Sequence, residues 1–178
     1  QRGSMPFSLT PDVYGDFLCG LFDLWYRDWE QGRYTSVRLF EDYVHLAMGL
    51  PPGTCATAGR CGGYLVAEGD GSLYPCDFYV LDQWMLGSVD GQTLPQIAAG
   101  EKARRFVDES MAKPPACAGC RWFTLCGGGC KRDWFTTGDG VPQNYYCGAF
   151  QQFFQHAEER ILHIARAESQ YRRRAGVL

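Results

Sequence analysis

Eight of the nine cysteines in this chain fall between Cys55 and Cys147, and their spacing constrains the fold more than any other feature. The order is Cys55-x5-Cys61-x14-Cys76, then Cys117-x2-Cys120-x5-Cys126-x3-Cys130, then Cys147. Cys19 stands far upstream, in a helical pattern. Setting it aside leaves twice four thiols, and four thiolates is what a closed tetrahedral zinc site or an iron–sulfur cube takes. A disulfide framework fits less well. The count is odd, no secretory pattern opens the sequence, and Cys-x2-Cys pairs typify metal or redox sites in reducing compartments. A cytoplasmic location is the expectation.

The thiols are not rescuing a chain too small to fold, because 46% of its 178 residues are hydrophobic and a core of ordinary size can form. The charge balance, 17 Lys and Arg against 20 Asp and Glu, gives no electrostatic footprint for nucleic acid. No apolar run approaches membrane length. Gln1-Arg2-Gly3-Ser4-Met5 reads as an expression-tag remnant, and Arg172-Arg173-Arg174 as a helix end favoured by the dipole.

Three long helices are predicted. Thr10 is a plausible N-cap with Pro11 at the first helical position. Tyr14, Phe17, Leu18, Leu21, Phe22 and Trp25 follow as one apolar stripe, with Gly32 as the stop. A second helix spans about 36–48, with Phe40, Tyr43, Val44, Ala47 and Met48 inward, and ends at Gly49 before Pro51-Pro52. The last runs from about Asn144 to Arg173, its stripe being Phe150, Phe153 or Phe154, Ala157, Ile161, Ile164 and Ala165. Between them, Tyr64 to Glu68 and Ser72 to Pro75 flank Gly69-Asp70-Gly71 as a β-hairpin, and Cys76 emerges from its second strand. One or two short helices fit between Thr93 and Met111. The Gly- and Cys-rich stretch from Pro114 to Gly129 reads as irregular loop. The fold class is α+β, with a small hairpin and Cys-rich loops holding two metal clusters between N-terminal and C-terminal helices.

The metal is narrowed by ligand type. His45, His156 and His163 all fall on predicted helices away from the cysteine loops, so both sites are read as all-thiolate. Catalytic zinc would want nitrogen or oxygen ligands and an open position. Only Cys117/Cys120 is a true zinc-type knuckle, and the wide intervals elsewhere suit a larger object than one ion. The Cys117–Cys130 run also echoes two-cluster ferredoxins, in which the last cysteine of such a run ligates the other cluster. Gly127-Gly128-Gly129 would let the backbone cross between sites and approach inorganic sulfide. Spacing alone leaves both structural zinc and iron–sulfur standing.

The eight-cysteine frame, together with Tyr74-Pro75-Cys76-Asp77-Phe78-Tyr79, Leu86-Gly87, Gly128-Gly129-Cys130 and Tyr145-Tyr146-Cys147, resembles the SPASM domain. This is the auxiliary-cluster domain of radical S-adenosylmethionine enzymes that modify peptides. The Pro-Cys-Asp-Phe-Tyr stretch is most similar to anaerobic sulfatase-maturating enzymes, and the resemblance covers about residues 37–154. It implies two [4Fe–4S] clusters with interleaved ligands: Cys55, Cys61, Cys76 and Cys130 on the first, Cys117, Cys120, Cys126 and Cys147 on the second. It divides the chain into 1–35, the tag remnant and the last helix of a radical S-adenosylmethionine barrel; 36–154, the auxiliary-cluster domain; and 155–178, a C-terminal helix and tail. The sequence contains no Cys-x3-Cys-x2-Cys loop, since Cys126-x3-Cys130 is followed at the required place by Asp133. By this resemblance the chain lacks the barrel that binds S-adenosylmethionine and is inactive alone.

By residue type Asp77, like Asp70 and Asp82, is a turn carboxylate. The resemblance gives Asp77 a second role. It would be the general base that takes the side-chain proton as a sulfatase cysteine or serine is oxidised to formylglycine. A neighbouring anionic cluster should raise its pKa. Trp122, Tyr145, Tyr74, Phe78 and Tyr79 are expected to shield clusters or line a peptide groove. The partners implied are a sulfatase or other peptide and the barrel, with no nucleic acid or membrane. Other readings of the same residues are a maturase that crosslinks a ribosomal peptide, a free-standing two-cluster electron carrier, and a zinc-stapled interaction module.

Overall fold

The computed structural model describes residues 5–176; Gln1-Arg2-Gly3-Ser4, from the stretch read as a tag remnant, lie outside the described residues. In chain order the elements are α1 (Pro11–Glu30), α2 (Arg38–Ala47), α3 (Cys55–Ala58), β1 (Val66–Ala67), β2 (Ser72–Tyr74) and β3 (Gly87–Ser88). Then come α4 (Leu94–Ala98), α5 (Glu101–Met111), α6 (Phe123–Cys126), β4 (Trp134–Thr136), β5 (Pro142–Asn144) and α7 (Cys147–Arg174). Tight 3-10 turns occupy Asp77–Tyr79, Asp82–Trp84, Pro115–Cys117 and Lys131–Asp133. This is a mixed α+β fold with flanking helices. It separates into two compact units, one built from the chain up to Ala58 and from Pro114 onward, the other from Gly59–Lys113.

The first unit is organised by α1, α2 and α7. Leu18, Phe22 and Trp25 of α1 meet Phe40, Tyr43 and Val44 of α2 and the Phe153, Phe154, Ala157, Ile161, Ile164 and Ala165 stripe of α7. The rings of Phe40 and Phe153 stack at 5.5 Å, and Phe22 stands edge-on to both at 5.1 and 5.6 Å. Such rings contribute about 1.5–3 kcal/mol each by burial, with a further increment from the edge-to-face pairing. Spacing misplaced Phe17, which is 56% exposed with Val13 and Leu24 on the outer face of α1. The buried stripe is narrower than expected because one neighbour, α7, covers most of it.

The helix ends follow from their residues. Thr10 is the N-cap of α1 through its backbone, its carbonyl accepting Tyr14 N–H, while its hydroxyl makes no capping bond. Gly32 takes φ 70° beyond the last turn, and Arg33 N–H returns to Asp28 O at 2.9 Å. The last helix begins at Cys147 rather than near Asn144, because Asn144 is claimed by a strand. That strand, β5, pairs antiparallel with β4 in a hairpin not foreseen from sequence, with Trp134 opposite Asn144 and Thr136 opposite Pro142. Its strands are only 3 residues each, too short for an alternation signal.

In the second unit the expected hairpin forms as β1 and β2, with Val66 opposite Tyr74 and Ala67 opposite Leu73. Gly71 makes the turn at φ 83°, and Asp70 accepts Ser72 N–H at 2.9 Å, the turn role expected of it. A third strand, β3, pairs with β2 through Ser72 and Ser88. The core of this unit joins Cys76, Trp84 and Phe106, with Cys61 and Tyr79 packed against it. Tyr79 and Trp84 each stand edge-on to Phe106, at 4.9 and 5.0 Å.

Candidate metal centre

Four of the thiols gather within the first unit. Cys117 closes a 3-10 turn, and Cys120 N–H returns to its carbonyl at 3.2 Å. Cys126 ends α6, and Cys147 begins α7. All four line one cavity of about 30 Å³, together with Trp122, Phe150, Phe154 and Asn144. Trp122 stacks on Phe154 at 6.3 Å and donates its indole N–H to Glu158 at 3.2 Å, so it covers an edge of the cavity. No histidine or carboxylate lines this space, which leaves a soft, all-sulfur donor set.

The sulfurs feel one another. Burial pushes the Cys126 thiol up to about 11, and the neighbouring Cys117, Cys147 and Cys120 add to the shift, against an opposing hydrogen bond from Gly128 N–H. Burial and then Cys120 raise Cys147 as well. Among the described residues, no three His, Cys, Asp or Glu side chains converge on a point where a single ion could sit. The donor set, four thiols with no imidazole or carboxylate, fits an iron–sulfur cluster as it would a structural zinc ion.

The glycines between Cys126 and Cys130 are left-handed in succession, with φ of 61°, 85° and 69° at Gly127, Gly128 and Gly129. Only glycine adopts such a run without steric cost. At Gly129 a Cβ would lie 2.4 Å from the Asn144 amide nitrogen. The glycine run thus makes room for a buried side chain, a reason the sequence argument did not supply.

The other four thiols are placed in both units. Cys61 and Cys76 belong to the second, where Cys76 is 9% exposed and Cys61 N–H donates to the buried Ser110 hydroxyl at 2.9 Å. Cys55 and Cys130 belong to the first. Cys55 opens α3, and Cys130 leads into the turn at Lys131–Asp133. The loop before Cys55 is pinned by Asp42, a 2% exposed carboxylate on α2. Its Oδ1 accepts Gly53 N–H at 2.6 Å, and its Oδ2 accepts Thr54 N–H at 3.1 Å and the Thr54 and Thr57 hydroxyls at 2.6 and 2.7 Å. Burial opposes the charge, but these bonds outweigh it and hold the carboxyl below its ordinary value.

Asp77 follows Cys76 and opens an exposed 3-10 turn. Its Oδ1 accepts the Tyr64 hydroxyl at 2.5 Å and the Cys76 thiol at 3.3 Å. With Cys76 as a free thiol, the Tyr64 hydrogen bond, then that of Cys76, holds Asp77 below the usual carboxylate range. The same contact drives the Tyr64 phenol well above its ordinary value. Tyr64 was read from sequence only as a strand residue. Nothing in its local pattern could reveal a bond spanning 13 positions. His156 and His163 are engaged on the α1–α7 seam, with Asp23 and Tyr26, each at 2.7 Å.

Residues 59–121 match the SPASM family, an iron–sulfur cluster-binding domain. That match and the cysteine frame make the chain a SPASM iron–sulfur domain of the radical S-adenosylmethionine class. It is 37% identical over 166 residues to the cysteine-type anaerobic sulfatase-maturating enzyme of Clostridium perfringens strain 13, covering 93% of this chain and 45% of that enzyme. The chain is closely related to the anaerobic sulfatase-maturating enzymes. The serine-type enzyme of Bacteroides thetaiotaomicron is 34% identical over 153 residues, covering 84% of this chain and 36% of its own length. The solved structure of native anSMEcpe with bound AdoMet and Kp18Cys peptide superposes with a TM-score of 0.88 at 36% identity, over 94% of this chain and 46% of that one. The chain therefore spans less than half the length of the relatives it matches.

Proposed function

We propose that this chain is the auxiliary-cluster part of a radical S-adenosylmethionine enzyme that converts a cysteine or serine of a sulfatase into formylglycine. The observation that carries this reading is the gathering of Cys117, Cys120, Cys126 and Cys147 around one cavity lined by no imidazole or carboxylate, in a chain 37% identical to a cysteine-type maturating enzyme. That quartet would hold one [4Fe–4S] cluster, and Cys55, Cys61, Cys76 and Cys130 a second. Bound iron–sulfur groups supply one-electron acceptance.

The remaining chemistry belongs to side chains. Losing the side-chain proton of the target residue requires a base in hydrogen-bond reach, and Asp77 is an exposed carboxylate beside a thiol ligand. Tyr64 donates to its Oδ1 and so fixes one oxygen. A Cys76 thiolate bound to iron has no proton to donate, so Tyr64 is the donor that persists. The peptide bound in the related structure supports a peptide as partner. A barrel carrying the Cys-x3-Cys-x2-Cys loop, absent from this sequence, would supply S-adenosylmethionine binding.

Two measurements test the reading. The chain reconstituted without oxygen should carry about eight irons and eight sulfides. In the full-length enzyme, Asp77→Asn should abolish formylglycine while S-adenosylmethionine cleavage continues. Product formed at the normal rate by that variant removes Asp77 from the base role.

A further inference from the structure

Cys126 and Cys147 are 21 positions apart and sit on different helices, so something must set their span. The hairpin of β4 and β5 does part of this by placing Trp134 opposite Asn144. Both side chains then reach the same acceptor: the Trp134 indole N–H and the Asn144 amide each donate to Gly128 O at 2.9 Å. The other end of the Asn144 amide accepts Tyr146 N–H at 2.8 Å, one residue before Cys147. Asn144 is 8% exposed and lines the four-thiol cavity. Its two arms therefore tie the loop behind one thiol to the residue ahead of another.

We propose that Asn144 is the positioning residue of the second thiol quartet, setting the Cys126–Cys147 span through its bonds to Gly128 O and Tyr146 N–H. The inference rests on the ligand assignment proposed above. Partners outside the ligand set orient metal-binding groups, and losing one costs about 10–100-fold in metal affinity. Asn144→Asp is the informative change. It preserves shape and the acceptor for Tyr146 N–H, but turns an oxygen toward the Gly128 carbonyl in place of the donor. Trp134→Phe removes the second donor and leaves Asn144 in place.

The experiment follows iron loss to a chelator from the anaerobically loaded full chain. In Asn144→Asp, one of two kinetic phases should accelerate about tenfold or more, with the other unchanged. In a Cys120→Ala background, which removes the second quartet, the same substitution should have no further effect on the remaining phase. Trp134→Phe should accelerate the same phase more weakly, and it carries the test should Asn144→Asp fail to fold. Wild-type rates in both variants, or equal acceleration of both phases, overturns the positioning role. A wild-type chain that takes up no iron overturns the ligand assignment and this inference with it, whereas unchanged variants of an iron-loaded chain overturn this inference alone.

Discussion

Asp42 and Asn144 illustrate how a single buried polar side chain can organise a loop that has too little secondary structure to organise itself. Asp42 accepts two backbone and two hydroxyl hydrogen bonds from the segment around Cys55. An amide in its place keeps one acceptor but meets donors with a donor. Asp42→Asn should cost about 2 kcal/mol at neutral pH, the range for bonds to a charged group. The pH dependence has a definite sign. Four bonds hold the folded carboxyl below its ordinary value, against burial, while the unfolded carboxyl titrates near its reference of about 3.9. The charge therefore contributes stability above that reference and loses it as pH falls through the lower, folded value. Denaturant unfolding of both proteins should show a gap that is constant at neutral pH and narrows below about pH 4. A gap that does not narrow in acid would mean the carboxylate charge is not what holds the loop.

At the scale of elements, legibility tracks length and locality. The α1, α2 and α7 helices were readable because their apolar residues recur at helical spacing over several turns, and Phe22, Phe40 and Phe153 meet as that spacing requires. Phe17 shows the limit: periodicity says which residues share a stripe, not how wide a neighbour's footprint is. The short strands β3, β4 and β5 carry no alternation and were missed. Cysteine spacing flagged the thiols, because residue type survives any uncertainty about conformation. The groups that hold those thiols, Asp42, Tyr64 and Asn144, were not legible as partners. All three act through bonds spanning 10 or more positions, Asp42 to Gly53, Tyr64 to Asp77 and Asn144 to Gly128. Asn144 was read as a helix start because its role depends on a hairpin too small to predict.

Across the whole molecule, apolar packing and thiol ligation serve different segments. The core of the first unit is made almost wholly of helix residues from α1, α2 and α7, with Leu125 the contribution from the ligand region. The stretch from Pro114 to Asp133 holds one 4-residue helix and two 3-10 turns, and its stability should depend on what its sulfurs bind. Removing iron should therefore separate the two. Hydrogen exchange on the chelated chain should leave the amides of Leu18 to Trp25, Phe40 to Val44 and Phe153 to Ile164 protected. Those of Cys120 to Phe123 and Gly127 to Gly129 should exchange faster than in the loaded chain. The contrast follows from where the buried rings lie: of the eight thiols proposed as ligands, only Cys126 is among the described residues that pack against the helical core. If chelation stripped protection from α1 and α7 to the same degree as from the glycine run, the helices would be leaning on the clusters and the division of labour drawn here would be wrong.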